Sequence, residues 1–526
     1  MRLFPISLGL LFIAMLSGCT SEETKAPDKP NVVFFLVDDM GWTDLGCYGS
    51  SFYETPNIDN FAKEGVKFTN AYATCHVCSP TRASIMTGKY PATLDLTDWI
   101  PGRRDFPFQR LLNAEHELGL PQEEETIAEA LKKEGYSTAI FGKWHLGGPE
   151  TGPLNQGFDV QVPQNWYRCC PNKTYHAPYG LDGLEDSEGG YLTDKLTDKA
   201  LSYIDDHQDK PFFLYLSHFA VHDPIEGRKD LVEKYADKLS QQSPQTGTDY
   251  ILEGNPDSKN PLTRAELDAL NNTPDYQGHK VLPNEIVKIK QKQDNTEFAG
   301  MVESVDESLG RVLSKLEELG IEDNTIIIFF SDNGGMAAGN WGNPKRVVPE
   351  DKVDVAYATA NLPLRGAKGW LYEGGIREPL IIRWPGQGQA GTECDVPVIS
   401  TDFFPTILDM LGLPIPTENK LDGLSIADLV KGNNELKRDA IYWHFPHYSN
   451  HGMQSPGGAI RSGDYKLLEY FENGSVQLFN LKDDIGEQHD LAAAEPEKVN
   501  ELKAMLHKWR EDVGANMMPP NPEYTP

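Results

Sequence analysis

The chain has 526 residues, enough for a large buried core and for two domains. Apolar residues make up 39% and charged residues 24%, with 22 Phe and 9 Trp, which sets aside disorder, collagen and coiled coil for the chain as a whole. Acidic residues outnumber basic ones 79 to 48, and the net charge of −31 argues against a general nucleic-acid binder; seven cysteines are too few for a disulfide scaffold, and no apolar run reaches the roughly 20 residues of a bilayer span.

Arg2 precedes an apolar run from Leu3 to Leu16, the length of a signal-peptide core. Leu16-Ser17-Gly18-Cys19 then resembles the lipobox of bacterial lipoproteins, which makes Cys19 the expected lipidated first residue after removal of 1–18. The alternative is an ordinary secretory signal with a chance cysteine. Cleavage would remove one positive charge, Arg2, and take the side-chain sum from −31 to −32. Residues 19–29 are polar, hold Pro27 and read as a tether. The pair Glu22-Glu23 resembles surface-export signals. The expectation is a Gram-negative outer membrane lipoprotein, periplasmic or surface-exposed, touching the membrane only through its lipid anchor.

Beyond the tether, continuous apolar runs predict buried parallel strands at 32–37, 138–141, 212–216, 325–330 and 380–382. Helical patterns lie between them, at 126–134 before Gly135 and at 298–319 before Gly320. Alternation of the two predicts an α/β protein with a large, mostly parallel sheet flanked by helices. Residues 225–292, rich in Asp, Asn, Gln and Pro, read as a loop-rich insertion in a catalytic domain spanning 30–435. From 436 to 526 the pattern changes. Strands at 459–469 and 476–481 flank Asn473-Gly474, a hairpin signal, and an amphipathic helix comes next at 496–513. A small antiparallel sheet with a helix is expected there.

Four of these strands lead into reactive side chains. Asp38-Asp39 come after the first, Lys143 and His145 after the second, His222 after the third, and Asp332-Asn333 after the fourth. In open parallel sheets the site lies beyond the carboxyl ends of the strands, so acids, an amide, a lysine and two histidines converge on one edge. A single aspartate after a strand often only caps the next helix. Asp38, Asp39, Asp332 and Asn333 offer oxygen alone, a donor set for Ca²⁺ or Mg²⁺ rather than Zn²⁺.

Cys78-Ser79-Pro80-Thr81-Arg82, with Thr87-Gly88 behind it, forms C-x-P-x-R-x4-T-G. This pattern resembles the signature of type I sulfatases of the alkaline phosphatase superfamily. Pro30 to Asp39, Gly142-Lys143-Trp144-His145-Leu146-Gly147, Phe219 to Pro224, Ser331-Asp332-Asn333-Gly334-Gly335, Leu364 to Gly369 and Gly463 to Leu467 resemble further family segments, in family order. Thr81 stands where serine is common. The resemblance implies an alkaline phosphatase-like fold and a sulfuric ester hydrolase. It implies that Cys78 is oxidised to formylglycine by a formylglycine-generating or anaerobic sulfatase-maturing enzyme, and that Asp38, Asp39, Cys78, Asp332 and Asn333 hold the metal, with Ca²⁺ favoured over Mg²⁺. Arg82 and Lys143 would hold formylglycine and sulfate. His145 would take the proton whose loss expels sulfate, and His222, helped by Lys368, would protonate the leaving alcohol. Arg82, Lys143 and Lys368 balance Asp38, Asp39 and Asp332, so that a bound divalent metal leaves a positive pocket for a sulfate ester.

Specificity signals are sparser. His444, His447 and His451 lie in one short stretch; Pro446 breaks zinc-ligand geometry and no carboxylate or thiolate accompanies them, leaving sugar binding or a structural loop. Arg103 and Arg104 could contact hydroxyls or a further anionic group, as could Trp99, Trp166 and Arg168. The adjacent Cys169 and Cys170 are not expected to pair with each other. The function expected is desulfation of a sulfated glycan, a glycosaminoglycan, mucin or marine polysaccharide fragment with galactose or N-acetylgalactosamine sulfate favoured. Alternatives are a phosphonate or phosphate monoester hydrolase of the same superfamily and a non-catalytic glycan-binding lipoprotein.

Overall fold

The computed structural model describes residues 29–525, except 186–187, 244–245 and 418–419. The signal segment 1–18, Cys19 and all but the last residue of the tether lie outside the described residues. Among the described residues no helix is long and apolar enough to cross a membrane.

Among the described residues nine strands form the central sheet: β1 (Asn31–Val37), β2 (Val66–Tyr72), β3 (Ser137–Gly142), β4 (Val160–Val162), β5 (Phe212–Ser217), β6 (Thr325–Ser331), β7 (Arg377–Arg383), β8 (Thr392–Cys394) and β9 (Val398–Ile399). Their order is β8-β2-β7-β6-β1-β5-β3-β4, with β9 also on β2. The helices used below are α1 (Pro56–Glu64), α2 (Cys78–Thr87), α3 (Ile127–Lys133), α4 (Leu192–His207), α5 (Lys229–Gln241), α6 (Arg264–Leu270), α7 (Thr296–Glu318), α8 (Phe403–Met410) and α9 (Pro496–Val513).

The interior strands β1, β3, β5 and β6 are apolar without alternation because both faces are covered. Val33, Phe35 and Val37 of β1 pack towards α1, α4 and α7, whereas Val32, Phe34 and Leu36 pack towards α2, α3 and α8. Register then fixes the site. Leu36 and Gly142 both stand opposite Ser217, and Val37 stands opposite Ser331. The residues that come after β1, β3, β5 and β6 therefore emerge together at one edge.

Two expectations change here. Leu380–Ile382 lies in a strand that runs antiparallel to β6 and β2, because the chain leaving β6 re-enters the sheet from the same edge. The 225–292 segment is more regular than a loop: α5 buries Leu231 and Tyr235, a Thr263–Glu266 capping box starts α6, and Tyr250–Glu253 pairs with Val287–Lys290.

The carboxyl-terminal piece is an antiparallel sheet of β10 (Ile441–Phe445), β11 (Gly457–Ser462), β12 (Tyr465–Tyr470) and β13 (Val476–Asn480), with α9 against it. The run expected as one strand from 459 to 469 is two strands, since Gly463, in the left-handed region at φ 58°, turns the chain. This sheet shares a core with the catalytic body, where Tyr72, Trp341 and Trp370 cluster with Trp443, Leu467 and Leu506. The Trp443 indole N–H donates to the Ala73 carbonyl at 2.8 Å.

Candidate active site

The signature segment folds into α2, and all of its residues from Cys78 to Thr87 are buried. Cys78 begins the helix after Val77, and Arg82 lies one turn on, on the same face. Thr81 keeps the role a hydroxyl can play: its Oγ1 donates to the Cys75 carbonyl and accepts from the Cys75 N–H, fixing the entry loop. Gly88, at φ 72°, ends the helix with its N–H on the Ser84 carbonyl.

Around Cys78 the site is a buried lattice of charge. Lys143 Nζ is 2.6 Å from Asp38 Oδ2 and Lys368 Nζ is 2.6 Å from Asp39 Oδ1. Arg82 Nε is 2.8 Å from Asp332 Oδ2, its Nη1 donates to the Lys143 carbonyl and to Ser217 Oγ, and its Nη2 stands 3.7 Å from Asp38 Oδ1. Asn333 Nδ2 donates to Asp39 Oδ1 at 2.7 Å. All these charged side chains are at most 2% exposed. The Lys143 backbone reaches its place only because Gly142 precedes it: at φ 112°, a β-carbon there would fall 1.8 Å from the Ser217 carbonyl oxygen.

The two histidines are held differently. His145 sits in the left-handed region at φ 57°. Its Nε2 is 2.7 Å from the Ile100 carbonyl, an acceptor only, so Nε2 carries the proton and Nδ1 presents a lone pair 3.1 Å from Cys78 Sγ. Burial, then the charge of Lys143, pushes its pKa well below the usual imidazole range. His222 Nδ1 is 2.6 Å from Asp223 Oδ1, and its Nε2 is 3.7 Å from Asp39 Oδ2. Burial and Lys368 pull its pKa down, but Asp39, Asp223 and Asp38 together outweigh them and raise it to about 9.

The donor set fits a hard cation. Asp38 Oδ1 and Asn333 Oδ1 are buried and lack a hydrogen-bond partner among the described residues, and Asp38, Asp39 and His222 present ligand atoms within 4.8 Å of one another. Burial first, then the neighbouring Asp332, raises the Asp38 carboxyl to about 8, although Lys143 opposes this. Asp39, despite burial, is held well below the carboxylate range by Lys368 and His222. A divalent cation would answer this crowding of carboxylates.

The structure thus gathers Cys78, Arg82, Lys143, His145, His222, Lys368, Asp38, Asp39, Asp332 and Asn333 at one point. The candidates for substrate contact scatter. His451 reaches the site, in the electrostatic company of Lys368, Asp39 and His222. His447 lies deeper, Nε2 2.8 Å from Thr97 Oγ1, and His444 Nε2 meets the Asn516 carbonyl at 2.8 Å. Arg103 is buried, with Nη1 donating to the Ser449 carbonyl, whereas Arg104 is exposed over the Phe106 ring. Trp99 packs on Cys75, Val77 and Phe445, and Arg168 lies over Trp166. Cys169 and Cys170, not expected to pair, are bonded to each other, because the chain bends sharply through 168–170; Cys170 lies beside His222 and Asp223. Sequence reasoning passed over Asp223, Ser217 and the Ile100 carbonyl. Asp223 had a signal, a carboxylate next to His222; a backbone carbonyl has none.

Residues 30–413 match the sulfatase family, and residues 367–514 match the carboxyl-terminal region described as N-sulphoglucosamine sulphohydrolase, C-terminal. A sulfatase of Formosa agariphila is 30% identical over 97% of this chain and 94% of its own length. An N-acetylglucosamine-6-O-sulfatase of Bacteroides thetaiotaomicron is 26% identical over 98% and 92%. Dog N-acetylgalactosamine-6-sulfatase is 29% identical over 83% and 72%. Among solved structures, Ps i-CgsB superposes with a TM-score of 0.68 at 26% identity, covering 92% of this chain and 93% of its own. BT4656, solved with D-glucosamine-2-N,6-O-disulfate, gives 0.65 at 25% identity, covering 93% and 98%. With the alkaline phosphatase-like fold, the complete signature and this coverage, the chain belongs to the sulfatase family and is a sulfuric ester hydrolase.

Proposed function

We propose that this protein removes sulfate from a sulfated carbohydrate, using Cys78, once oxidised to formylglycine, as the nucleophilic position. The observation that carries the reading is geometric: His145 Nδ1 stands 3.1 Å from Cys78 Sγ while its Nε2 is engaged by the Ile100 carbonyl, and His222 is oriented through Nδ1 by Asp223 with Nε2 left towards Asp39. A ring held in one tautomer against the nucleophilic position suits a base, and a ring oriented by a carboxylate suits an acid.

Formylglycine, when hydrated, supplies one hydroxyl to attack sulfur and a second whose deprotonation expels sulfate without a further attack at sulfur. His145 Nδ1 is placed to take that proton, and the Ile100 carbonyl holds the ring in the required tautomer. Arg82 and Lys143 surround the same position with positive charge that favours a sulfate ester. His222 Nε2, oriented by Asp223, protonates the leaving alcohol, and Lys368 stands with it on Asp39. Sugar alcohols leave poorly, so this general acid is worth about 10²–10⁴ in rate. Asp38, Asp39, Asp332 and Asn333 would hold Ca²⁺, which would supply positive charge for a sulfate oxygen.

The carbohydrate class is supported by relatives named for N-acetylglucosamine 6-O-sulfate and N-acetylgalactosamine 6-sulfate; galactose and N-acetylgalactosamine sulfates are the favoured substrates. A formylglycine-generating or anaerobic sulfatase-maturing enzyme is the proposed partner. The lipobox-like Leu16 to Cys19 supports anchoring at the outer membrane.

The test is mass spectrometry of the Cys78 peptide from a native-type host, with sulfate release from hexosamine and galactose sulfates followed by ion chromatography. The expected result is a formylglycine mass and released sulfate. An unmodified Cys78 without turnover in that host would sink the catalytic reading, and release of phosphate from phosphonate or phosphate monoesters alone would replace it.

A further inference from the structure

Buried polar groups normally find partners. His451 does not: it is 6% exposed, and neither ring nitrogen has a hydrogen-bond partner among the described residues. Its backbone is held firmly nonetheless. The His451 N–H donates to Ser449 Oγ at 3.2 Å, Ser449 Oγ donates back to the His451 carbonyl at 2.9 Å, and Asn340 bridges to it in antiparallel fashion. Gly369, at φ 87°, allows the approach, since a β-carbon there would lie 2.4 Å from His451 Cβ. A ring with two unused polar atoms is thus fixed beside the residue after Lys368.

Its surroundings are those of the leaving group. The charged groups that act on the ring are Lys368, Asp39, Asp223 and His222, and burial, then Lys368, keeps the imidazole neutral. A neutral imidazole offers one donor and one acceptor, and so does a hydroxyl. A site built to pair with a hydroxyl discriminates strongly against a ligand that lacks one, because its own polar atoms are then left buried and unpaired.

Resting on the carbohydrate reading above, we propose that His451 is a substrate-binding residue that hydrogen-bonds a ring hydroxyl of the sugar on the leaving side of the ester. It thereby selects sulfated sugars over aryl sulfates.

The test is calorimetric binding in calcium-containing buffer to full-length protein carrying Cys78→Ala, alone or with His451→Ala or His451→Gln. The probes are the 4- and 6-sulfates of galactose and N-acetylgalactosamine, N-acetylglucosamine 6-sulfate, and 4-nitrophenyl sulfate. For the tightest sugar sulfate, His451→Ala raises Kd about tenfold, a loss about fivefold larger than for 4-nitrophenyl sulfate. His451→Gln, whose amide carries both donor and acceptor, recovers most of that loss. Equal weakening of sugar and aryl ligands, no weakening, or no sugar binding at all overturns the proposal. Sulfate release by the formylglycine-bearing wild type is scored separately: selective loss of sugar affinity without any release would sink the reaction and keep the His451 role, and release with equal weakening would do the reverse.

Discussion

The Cys78 sulfur lies 3.1 Å from Nδ1 of His145, whose other nitrogen is engaged by the Ile100 carbonyl. One hydrogen bond outside the reacting group therefore decides which nitrogen can accept a proton. His145→Ala is expected to lower kcat by about 10²–10⁴ with little change in KM, since binding rests on the cations. Steady-state kinetics on protein of verified formylglycine content checks this. A large rise in KM with kcat intact would mean that His145 binds rather than acts.

Asp38 Oδ1 and Asn333 Oδ1, buried without a hydrogen-bond partner among the described residues, lead to a metal prediction. Chelation should abolish sulfate release, and Ca²⁺ should restore it more fully than Mg²⁺. Calcium should also raise the unfolding temperature, since a ligand at 100 times its Kd adds about 2.7 kcal/mol to the folded state. A melting curve indifferent to both chelator and calcium would refute the site.

Lys466 ties the carboxyl-terminal sheet to the body. Its Nζ is 2.9 Å from both Glu373 and Glu487, and all three are completely buried. Lys466→Met would leave Glu487 buried without its cation beside Glu373, which keeps Arg377 at 2.7 Å, and should cost about 3–5 kcal/mol. Denaturant unfolding that shifts by less than about 1 kcal/mol would show that the carboxyls rearrange or protonate without penalty.

Glu469 gives a pH signature. Burial works against its charge, but Arg510, His507 and Lys503 lower its pKa to about 2. A depressed folded pKa stabilises the protein fully above the unfolded value of about 4.5 and loses that contribution as pH falls through the folded value. The stability advantage of wild type over Glu469→Gln should shrink as pH falls below about 4.5. A gap that widens as pH falls below about 4.5 would contradict the ion-pair account.

Most of the site was legible because strand and chemistry were read together. Asp38, Lys143, His222 and Asp332 each come after an apolar run, and the register of β1, β3, β5 and β6 brings them to one edge. Cys78 and Arg82 were legible through their spacing on one helix face. The reading weakened where partners come from far along the chain or from the backbone. Nothing around Ile100 announces a carbonyl aimed at His145, and no periodicity tells a parallel from an antiparallel β7. His444, His447 and His451 look alike in sequence; only folding separates a ring bonded to Asn516 from one left open beside Lys368.

Every residue of α2 is buried, and Cys78 is 3% exposed at its start. On the proposed reading, a modifying enzyme that must grip the residues around Cys78 cannot do so once this helix is packed between the sheet and α8. Oxidation of the thiol then belongs to biosynthesis rather than to the finished protein, a race between maturation and folding. A chain that folds first keeps its cysteine permanently, so the yield of active enzyme is set by timing in the host rather than by later treatment.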